Sequence, residues 1–162
     1  MIRAFIDASV LYAASASPTG ASREALRQAI RGHVVLVVSK LVLVEVERNL
    51  TDKSPEALPA FLQIPGVIPF ELVRPTKRQV LQAAAYTALK DAPIVAAARK
   101  AQVDYLVSLD RRHLVGVPEV AERSGLKVVL HWLRKTSRAR PASLRVRTPS
   151  RAAFANAAAT SA

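Results

Sequence analysis

Short runs of apolar, mostly β-branched residues alternate along the chain with longer segments in which apolar positions recur every three or four residues. The short runs predict strands and the longer segments predict helices. Because the two alternate, the pattern predicts an α/β fold, a three-layer α/β/α sandwich around a central parallel sheet. The five predicted strands cover residues 2–6, 34–38, 67–73, 105–109 and 127–132, and the third has the weakest pattern. The predicted helices cover residues 10–15, 22–31, 41–50, 55–62, 77–89, 92–101 and 119–124.

Several of these helices are preceded by residues that commonly cap helices. Their side-chain oxygens accept hydrogen bonds from the free N–H groups of a first turn. These residues are Ser39, Ser54, Thr76 and Asp91. Gly32 and Gly125 stand where helices are expected to end, because glycine readily adopts the left-handed conformation that closes a helix.

The composition is that of one folded domain. The chain has 162 residues, of which 51% are hydrophobic and 22% charged, so it is neither disordered throughout nor a fibre or coiled coil. It contains no cysteine, which excludes disulfides, thiolate zinc sites and a cysteine nucleophile. No apolar stretch is long enough to span a bilayer, and Asp7 comes too early for a signal peptide. We therefore expect a soluble cytoplasmic protein without membrane association.

The net charge of +12 indicates a polyanionic partner. The charge is uneven, because residues 134–162 contain seven basic residues and no acid, whereas residues 1–133 contain 17 basic and 12 acidic residues. Residues 134–162 also have few large apolar side chains, too few to offset the entropy lost on ordering them. We predict a folded domain at 1–133 and a flexible basic tail at 134–162.

Four acids stand where the predicted fold could bring them together. Asp7 directly follows the first strand and Asp110 follows the fourth. The carboxyl ends of parallel strands open on one edge of a sheet, so both acids are expected at that edge. Asp91 precedes a helix whose apolar positions place the Asp91 carboxylate on the side facing the sheet. The edge of the sheet at which this carboxylate lies stays open. Glu45 lies within an otherwise apolar turn of a helix.

Each acid also has a purely structural interpretation. The three aspartates could cap the next helix or turn, and Glu45 could lie on an exposed helix face. Taken as a set with no lysine to compensate them, four close carboxylates would repel one another unless a divalent cation neutralised them. Oxygen ligands favour Mg²⁺ or Mn²⁺ over zinc.

Four segments resemble, in order and spacing, the sequence blocks of the PIN-domain nucleases. They are residues 5–11, 39–50, 91–98 and 106–110. The resemblance covers about residues 1–132, and it is greatest to the prokaryotic single-domain VapC toxins. It implies a PIN-like fold with a parallel sheet of about five strands.

The resemblance also implies which residues form the site. The family's acidic quartet, which holds one or two Mg²⁺ or Mn²⁺ ions, would be Asp7, Glu45, Asp91 and Asp110. Ser9 and Ser108 match the small polar positions beside the metal. Glu47 fits the spacing less well than Glu45 and lies about 200° round the helix from it.

The chain departs from the family pattern in two places. Family members often have Asp-Thr-Asn in the first block, where this chain has Asp7, Ala8 and Ser9. Many also carry another acid shortly after the last aspartate, where this chain has Arg112 and His113. The quartet itself is complete.

The activity that the resemblance implies is metal-assisted hydrolysis of RNA phosphodiesters by the toxin component of a toxin-antitoxin pair. Asp7 and Asp110 would bind the ion directly, and Asp91 would bind it or one of its waters. Glu45 would orient or deprotonate the attacking water. Toxin-type members typically form homodimers and are inhibited by a cognate antitoxin.

Because acids repel phosphate, basic side chains around the site would have to bind the RNA. The candidates are Lys40, Arg48, Arg99, Lys100, Arg111 and Arg112. His113, near Asp110, is a further candidate for contact with the substrate.

Two other functions stay open. A phosphoacceptor domain of the receiver or dehalogenase type also gathers aspartates at strand ends, but it needs an acid pair or an Asp-x-Asp motif at the first strand and a lysine on a late strand. Here Ala8 and Ser9 follow Asp7, and Lys127 opens its strand rather than closing it. The second alternative is a PIN-like module that binds nucleic acid without cleaving it, and the complete quartet argues against it.

The tail generates a first prediction. Deleting residues 134–162 should flatten the salt dependence of RNA binding by about 0.7 in the slope of log K against log[salt] for each basic residue that contacts a phosphate. Fluorescence anisotropy with labelled RNA over a NaCl series measures this slope. An unchanged slope would reject a role for the tail in RNA binding.

Overall fold

A five-stranded parallel sheet organises residues 1–130, the part of the chain that the computed structural model describes. The strand order is β3-β2-β1-β4-β5, and every neighbouring pair is parallel. The strands are β1 Ile2–Ile6, β2 Val34–Val38, β3 Glu71–Leu72, β4 Tyr105–Val107 and β5 Val128–Val129. The predicted α/β sandwich around a five-stranded parallel sheet is confirmed.

Within residues 1–130, seven α-helices connect and cover these strands. They are α1 Ala8–Ala16, α2 Ala21–Ile30, α3 Lys40–Lys53, α4 Leu58–Val67, α5 Lys77–Ala84, α6 Ala92–Lys100 and α7 Pro118–Ser124. A short 3₁₀ turn, Pro55–Ala57, precedes α4, and a π-helical turn, Arg111–Val115, follows β4.

The core lies where the central strands meet the helices on either side. Phe5, Leu36, Val37 and Leu106 are fully buried. In a parallel sheet covered on both faces, strands become continuous apolar runs rather than alternating ones, and β2 consists of five aliphatic residues for this reason. The sheet therefore provides a rigid base whose carboxyl edge carries the acids.

The third predicted strand is wrong over most of its length. Only Glu71–Leu72 pairs with β2, and Val67 ends α4, which runs five residues beyond its predicted end. The helix continues because Phe61 and Ile64 are buried one turn apart. Pro69 lacks the N–H group that a paired strand needs, so pairing starts only after it.

Smaller differences concern the ends of other elements. Helix α5 ends at Ala84 rather than 89, and β4 ends at Val107 because the Ser108 hydroxyl accepts a hydrogen bond from the Asp110 N–H and turns the chain. Pairing of the last strand covers Val128–Val129, while residues 131–132 and the predicted tail at 134–162 lie outside the described residues.

Two of the four predicted helix caps are confirmed. Ser39 accepts a hydrogen bond from the Val42 N–H, and Thr76 forms a reciprocal capping box with Gln79. Ser54 and Asp91 accept no capping hydrogen bond within residues 1–130. The Ser54 hydroxyl is instead 2.7 Å from the hydroxyl of Tyr12. Among the same residues, no helix has the length and apolar character needed to cross a membrane.

Candidate active site

All four acids of the predicted quartet line one cleft at the carboxyl edge of the sheet. The cleft has a volume of about 620 Å³. Asp7 follows β1 and Asp110 follows the neighbouring strand β4, while α3 supplies Glu45 and the residue before α6 supplies Asp91. Parallel strands end at the same edge, so residues about a hundred positions apart become neighbours.

The carboxylate of Asp7 is held by three hydrogen bonds. Its Oδ1 accepts from the Ala8 N–H at 2.7 Å, and its Oδ2 accepts from the Ser9 and Ser108 hydroxyls at 2.9 and 2.7 Å. Asp7 is buried, and Ser108 is completely so. Asp7 therefore caps α1 and also lines the cleft. Its interpretation as a helix cap and its interpretation as a residue of the site are compatible.

The two serines also position the loop that carries Asp110. The Leu109 N–H donates to Ser9 Oγ, and the Asp110 N–H donates to Ser108 Oγ, both at 3.0 Å. Each hydroxyl thus donates to Asp7 and accepts from the loop after β4. This pair of bridges fixes the spacing between the first and last acids of the cleft.

Asp110 is held as an ionised group mainly by the turn that follows it. Its Oδ1 accepts from the N–H groups of Arg112 and His113, both at 2.9 Å, and its Oδ2 lies 3.0 Å from His113 Nδ1. Burial raises the pKa of Asp110, but the hydrogen bonds from His113 and Arg112 outweigh burial, so the pKa is lowered. The π-helical turn therefore favours the charged form of this acid.

The pKa values of Asp91 and Glu45 are raised, in contrast to that of Asp110. Burial, and then the charges of Asp110 and Asp7, raise the pKa of Asp91, although Lys90 opposes this. Burial, followed by the charges of Asp7 and Asp91, raises the pKa of Glu45. Asp91 Oδ2 is buried and has no hydrogen-bond partner within residues 1–130. This oxygen is the one group of the cleft acids that is both withdrawn from water and unsatisfied in the described part of the chain.

The donor atoms of this cluster fit a divalent cation. Ligand atoms of Asp91, Asp110 and His113 all lie within 4.8 Å of one another. A cation bound by the Asp91 carboxylate would offset part of the cost of burying that group. Carboxylate oxygens suit Mg²⁺ or Mn²⁺. His113 contacts Asp110 directly, so it can orient that ligand from outside the metal's coordination sphere.

The structure corrects the expectation that no lysine compensates the acids. Lys90 Nζ lies 3.7 Å from Asp110 Oδ2 and 3.3 Å from His113 Nδ1. Lys90 and Lys53 both line the cleft. Lys90 directly precedes Asp91. Lys53 lies eight positions after Glu45 on α3, so the helical period could have identified Lys53 as a residue on the side of the helix that faces the cleft. The Lys90 side chain is 61% exposed, so solvent screens this pairing and it offsets the acids only in part.

The six predicted RNA-binding residues do not share one location. Arg48 lines the cleft, whereas Lys40 lines a neighbouring groove and Lys100 donates to the Arg74 carbonyl at 2.7 Å. Arg99 donates to the Tyr86 hydroxyl at 3.2 Å. Arg111 and Arg112 are exposed on the turn after Asp110 and are not among the residues that line the cleft.

Comparison with known families agrees with this arrangement. The family model of the PIN domain matches residues 3–112, a range that contains all four acids and both serines. The chain belongs to the PIN domain family. No curated protein matches the sequence significantly.

Three solved structures share the fold of this PIN domain. PAE2754 from Pyrobaculum aerophilum is 18% identical over 85% of this chain and 96% of that one, with a TM-score of 0.54. VapBC2 from Rickettsia felis, bound to a DNA fragment from its promoter, is 12% identical over 79% of this chain and 98% of that one, with a TM-score of 0.56. FitAcB from Neisseria gonorrhoeae is 14% identical over 80% of this chain and 98% of that one, with a TM-score of 0.55. At these identities the likeness concerns the fold.

The raised pKa of Asp91 generates a stability prediction. A group whose pKa is raised by folding contributes stability below its unfolded-state pKa and loses that contribution as pH rises through the folded-state value. At neutral pH the ionised Asp91 should therefore destabilise the metal-free PIN domain. We expect Asp91→Asn to raise its Tm by about 2–4 °C, the shift that roughly 1 kcal/mol produces in a chain of this size.

Thermal unfolding by circular dichroism, with and without millimolar MgCl₂, measures this effect. Magnesium should raise the Tm of the unmodified protein and have little effect on Asp91→Asn. Asp52→Asn, which removes an exposed acid of α3 that does not line the cleft, is the matched control. A lower Tm for Asp91→Asn than for this control would contradict the prediction.

Proposed function

We propose that this PIN domain is a divalent-metal-dependent endoribonuclease and the toxin component of a toxin-antitoxin pair. The observation that supports the proposal most is a cleft lined by four acids, one of which, Asp91, has a buried oxygen with no hydrogen-bond partner within residues 1–130. A cation satisfies such an oxygen, and basic residues on the cleft wall attract a phosphate backbone to it. Membership of the PIN domain family argues against the phosphoacceptor alternative.

In the proposed mechanism, Asp7 and Asp110 would hold the ion directly, and Asp91 would hold it or one of its waters. A bound Mg²⁺ or Mn²⁺ acidifies water and neutralises charge on the phosphate oxygens. Glu45 would accept a proton from the attacking water as the water oxygen forms a bond to phosphorus and the bond to the leaving oxygen breaks, and the leaving oxygen would take a proton from solvent. Burial raises the pKa of Glu45, which makes it a stronger base than an exposed glutamate.

Basic side chains bind the RNA on both sides of the acids. Arg48 and Lys53 project from α3, and Lys90 stands beside Asp110. Lys90 is exposed, so it can leave Asp110 at small cost when a cation arrives and then contact a phosphate oxygen. We assign it the role of positioning the substrate.

The proposed partners are RNA, a cognate antitoxin and a second copy of the chain. VapBC2 and FitAcB, which share the fold, support the assignment to a toxin-antitoxin system. At the mouth of the cleft, Leu41 and Val44 are large apolar side chains about half exposed. An antitoxin segment that covers these side chains would also block access to the acids. We propose that residues 1–133 form the catalytic domain and 134–162 its basic tail.

The nuclease proposal is tested by cleavage of labelled single-stranded RNA with Mn²⁺, with and without a chelator. Asp7→Asn should lose activity by about 100-fold or more because a ligand of the ion is weakened. Glu45→Gln should lose about 10²- to 10⁴-fold because it removes the base. Glu47→Gln, an exposed acid on the same helix that does not line the cleft, is the control and should retain full activity.

Two results would contradict the proposal. Cleavage that continues in the presence of chelator, or that is equal in Asp7→Asn and the control, would exclude the four acids as the catalytic centre. RNA binding without any cleavage under these conditions would favour the non-catalytic PIN-like module.

The role of Lys90 makes a separate prediction, whose first part concerns metal binding and needs no RNA. Lys90→Met removes a cation that competes with the metal, so it should tighten Mn²⁺ binding, by up to about fivefold if the exposed pair is worth at most about 1 kcal/mol. The same variant should raise the KM for RNA, whereas Lys90→Arg should restore it. Isothermal titration calorimetry measures the metal affinity, with Lys77→Met on α5 as the control. Weaker Mn²⁺ binding by Lys90→Met would show that the lysine supports the site instead of competing at it.

A further inference from the structure

A second groove continues the catalytic cleft along the same edge of the sheet. Its volume is about 530 Å³, and Leu41 and Val44 line both cavities. Ser39 follows β2 and residues 73–75 follow β3, so the groove lies over the carboxyl ends of these two strands. Asp7 follows β1 and Asp110 follows β4, and β1 is the neighbour of β2 in the strand order. The groove is therefore the direct extension of the cleft toward the β3 side of the sheet.

The charge of this groove is opposite to that of the cleft. Lys40 and Arg74 line it, and no acid is among its lining residues in the described part of the chain. Lys100 donates a hydrogen bond to the Arg74 carbonyl at 2.7 Å, which brings a third cation close to the groove. Glu71, the acid of β3, forms an ion pair with Arg3. A polyanion that passes the cleft thus meets uncompensated positive charge here.

The groove also exposes apolar side chains. Leu41 is 49% exposed, Val44 52% and Leu72 66%. Exposed apolar side chains that adjoin one another commonly mark a binding surface. Their combination with flanking cations matches single-stranded nucleic acid, whose bases are apolar on their faces and whose phosphates are negative.

We infer that this groove binds the nucleotides of single-stranded RNA that flank the scissile phosphodiester. This inference rests on the proposed ribonuclease function and extends it to the form of the substrate. Lys40 and Arg74 bind backbone phosphates, while the exposed leucines contact unstacked bases. The planar guanidinium of Arg74 can also stack on a base. A duplex keeps its bases paired and stacked, so it cannot use the apolar part of the groove.

The test compares two double variants in their binding to a labelled, unstructured RNA of about 12 nucleotides, a length within the usual range of single-strand sites. A chelator prevents cleavage, and anisotropy gives Kd over a NaCl series. Lys40→Gln combined with Arg74→Gln should make the negative slope of log K against log[salt] shallower by about 1.4, which is about 0.7 for each lost phosphate contact.

The control removes the same charge at the opposite edge of the sheet. Arg31 precedes β2 and Lys127 precedes β5, and both side chains are exposed. Arg31→Gln combined with Lys127→Gln should leave the slope unchanged. A third variant, Leu72→Ser, should weaken binding of single-stranded RNA while keeping the salt slope, and it should not affect binding of a duplex of the same length.

Each outcome decides the inference. It is overturned if the groove variant and the control have equal slopes, or if Leu72→Ser weakens duplex and single strand alike. It is also overturned if Leu72→Ser dissociates a dimer in size-exclusion chromatography with light scattering, because the groove would then be an interface between copies. If the slopes differ as expected but the unmodified protein cleaves no RNA with Mn²⁺, the proposed nuclease activity fails while the RNA groove stands.

Discussion

Repulsion between carboxylates gathered at one edge of a parallel sheet is the constraint on which this site depends. Because β1 and β4 are parallel neighbours, Asp7 and Asp110 emerge side by side, and α3 and α6 add an acid each. A carboxylate that leaves water needs hydrogen bonds or a cation. Serine hydroxyls satisfy Asp7 and backbone N–H groups satisfy Asp110, whereas Asp91 Oδ2 is unsatisfied in the described part of the chain. Within residues 1–130 the fold thus satisfies Asp7 and Asp110 by itself and leaves one oxygen of Asp91 without a partner.

The different surroundings of the acids also shift their pKa values in opposite directions. Hydrogen bonds from the turn lower the pKa of Asp110, and burial raises the pKa of Asp91 and Glu45. A lowered pKa favours the charged form of Asp110, whereas a raised pKa makes Asp91 and Glu45 bind a proton more readily than an exposed carboxyl group does. Under the proposed function, Glu45 needs this second property. Its position inside an apolar turn of α3 provides it.

Much of this arrangement could be predicted from the sequence. Strand runs such as Val34–Val38 are purely aliphatic, and only a sheet covered on both faces accommodates them, so the parallel α/β fold followed from local composition. The positions of Asp7 and Asp110 followed from their place directly after a strand. The convergence of Asp91 with them depends on where α6 starts, which is a tertiary property that spacing alone does not define.

The parts that sequence reasoning missed depend on long-range contacts. Nothing local distinguishes Lys90 from other exposed lysines until the loop before α6 is placed beside Asp110. Helix α4 passes through Pro65 because its buried face outweighs the local signal to stop, so the third strand was predicted too long. Within residues 1–130, Asp91 forms no capping hydrogen bond, although sequence reasoning predicted one. The preference of aspartate for cap positions is an average over many helices and does not determine a single case.

The turn after Asp110 has a consequence for the conditions under which the site stays charged. Mobile ions in the buffer screen a lysine in solvent, so the pairing between Lys90 and Asp110 fades at high ionic strength. Backbone N–H groups 2.9 Å from the same carboxylate leave no room for a screening ion between donor and acceptor. The backbone hydrogen bonds that favour the charged form of Asp110 are therefore less sensitive to ionic strength than its pairing with Lys90.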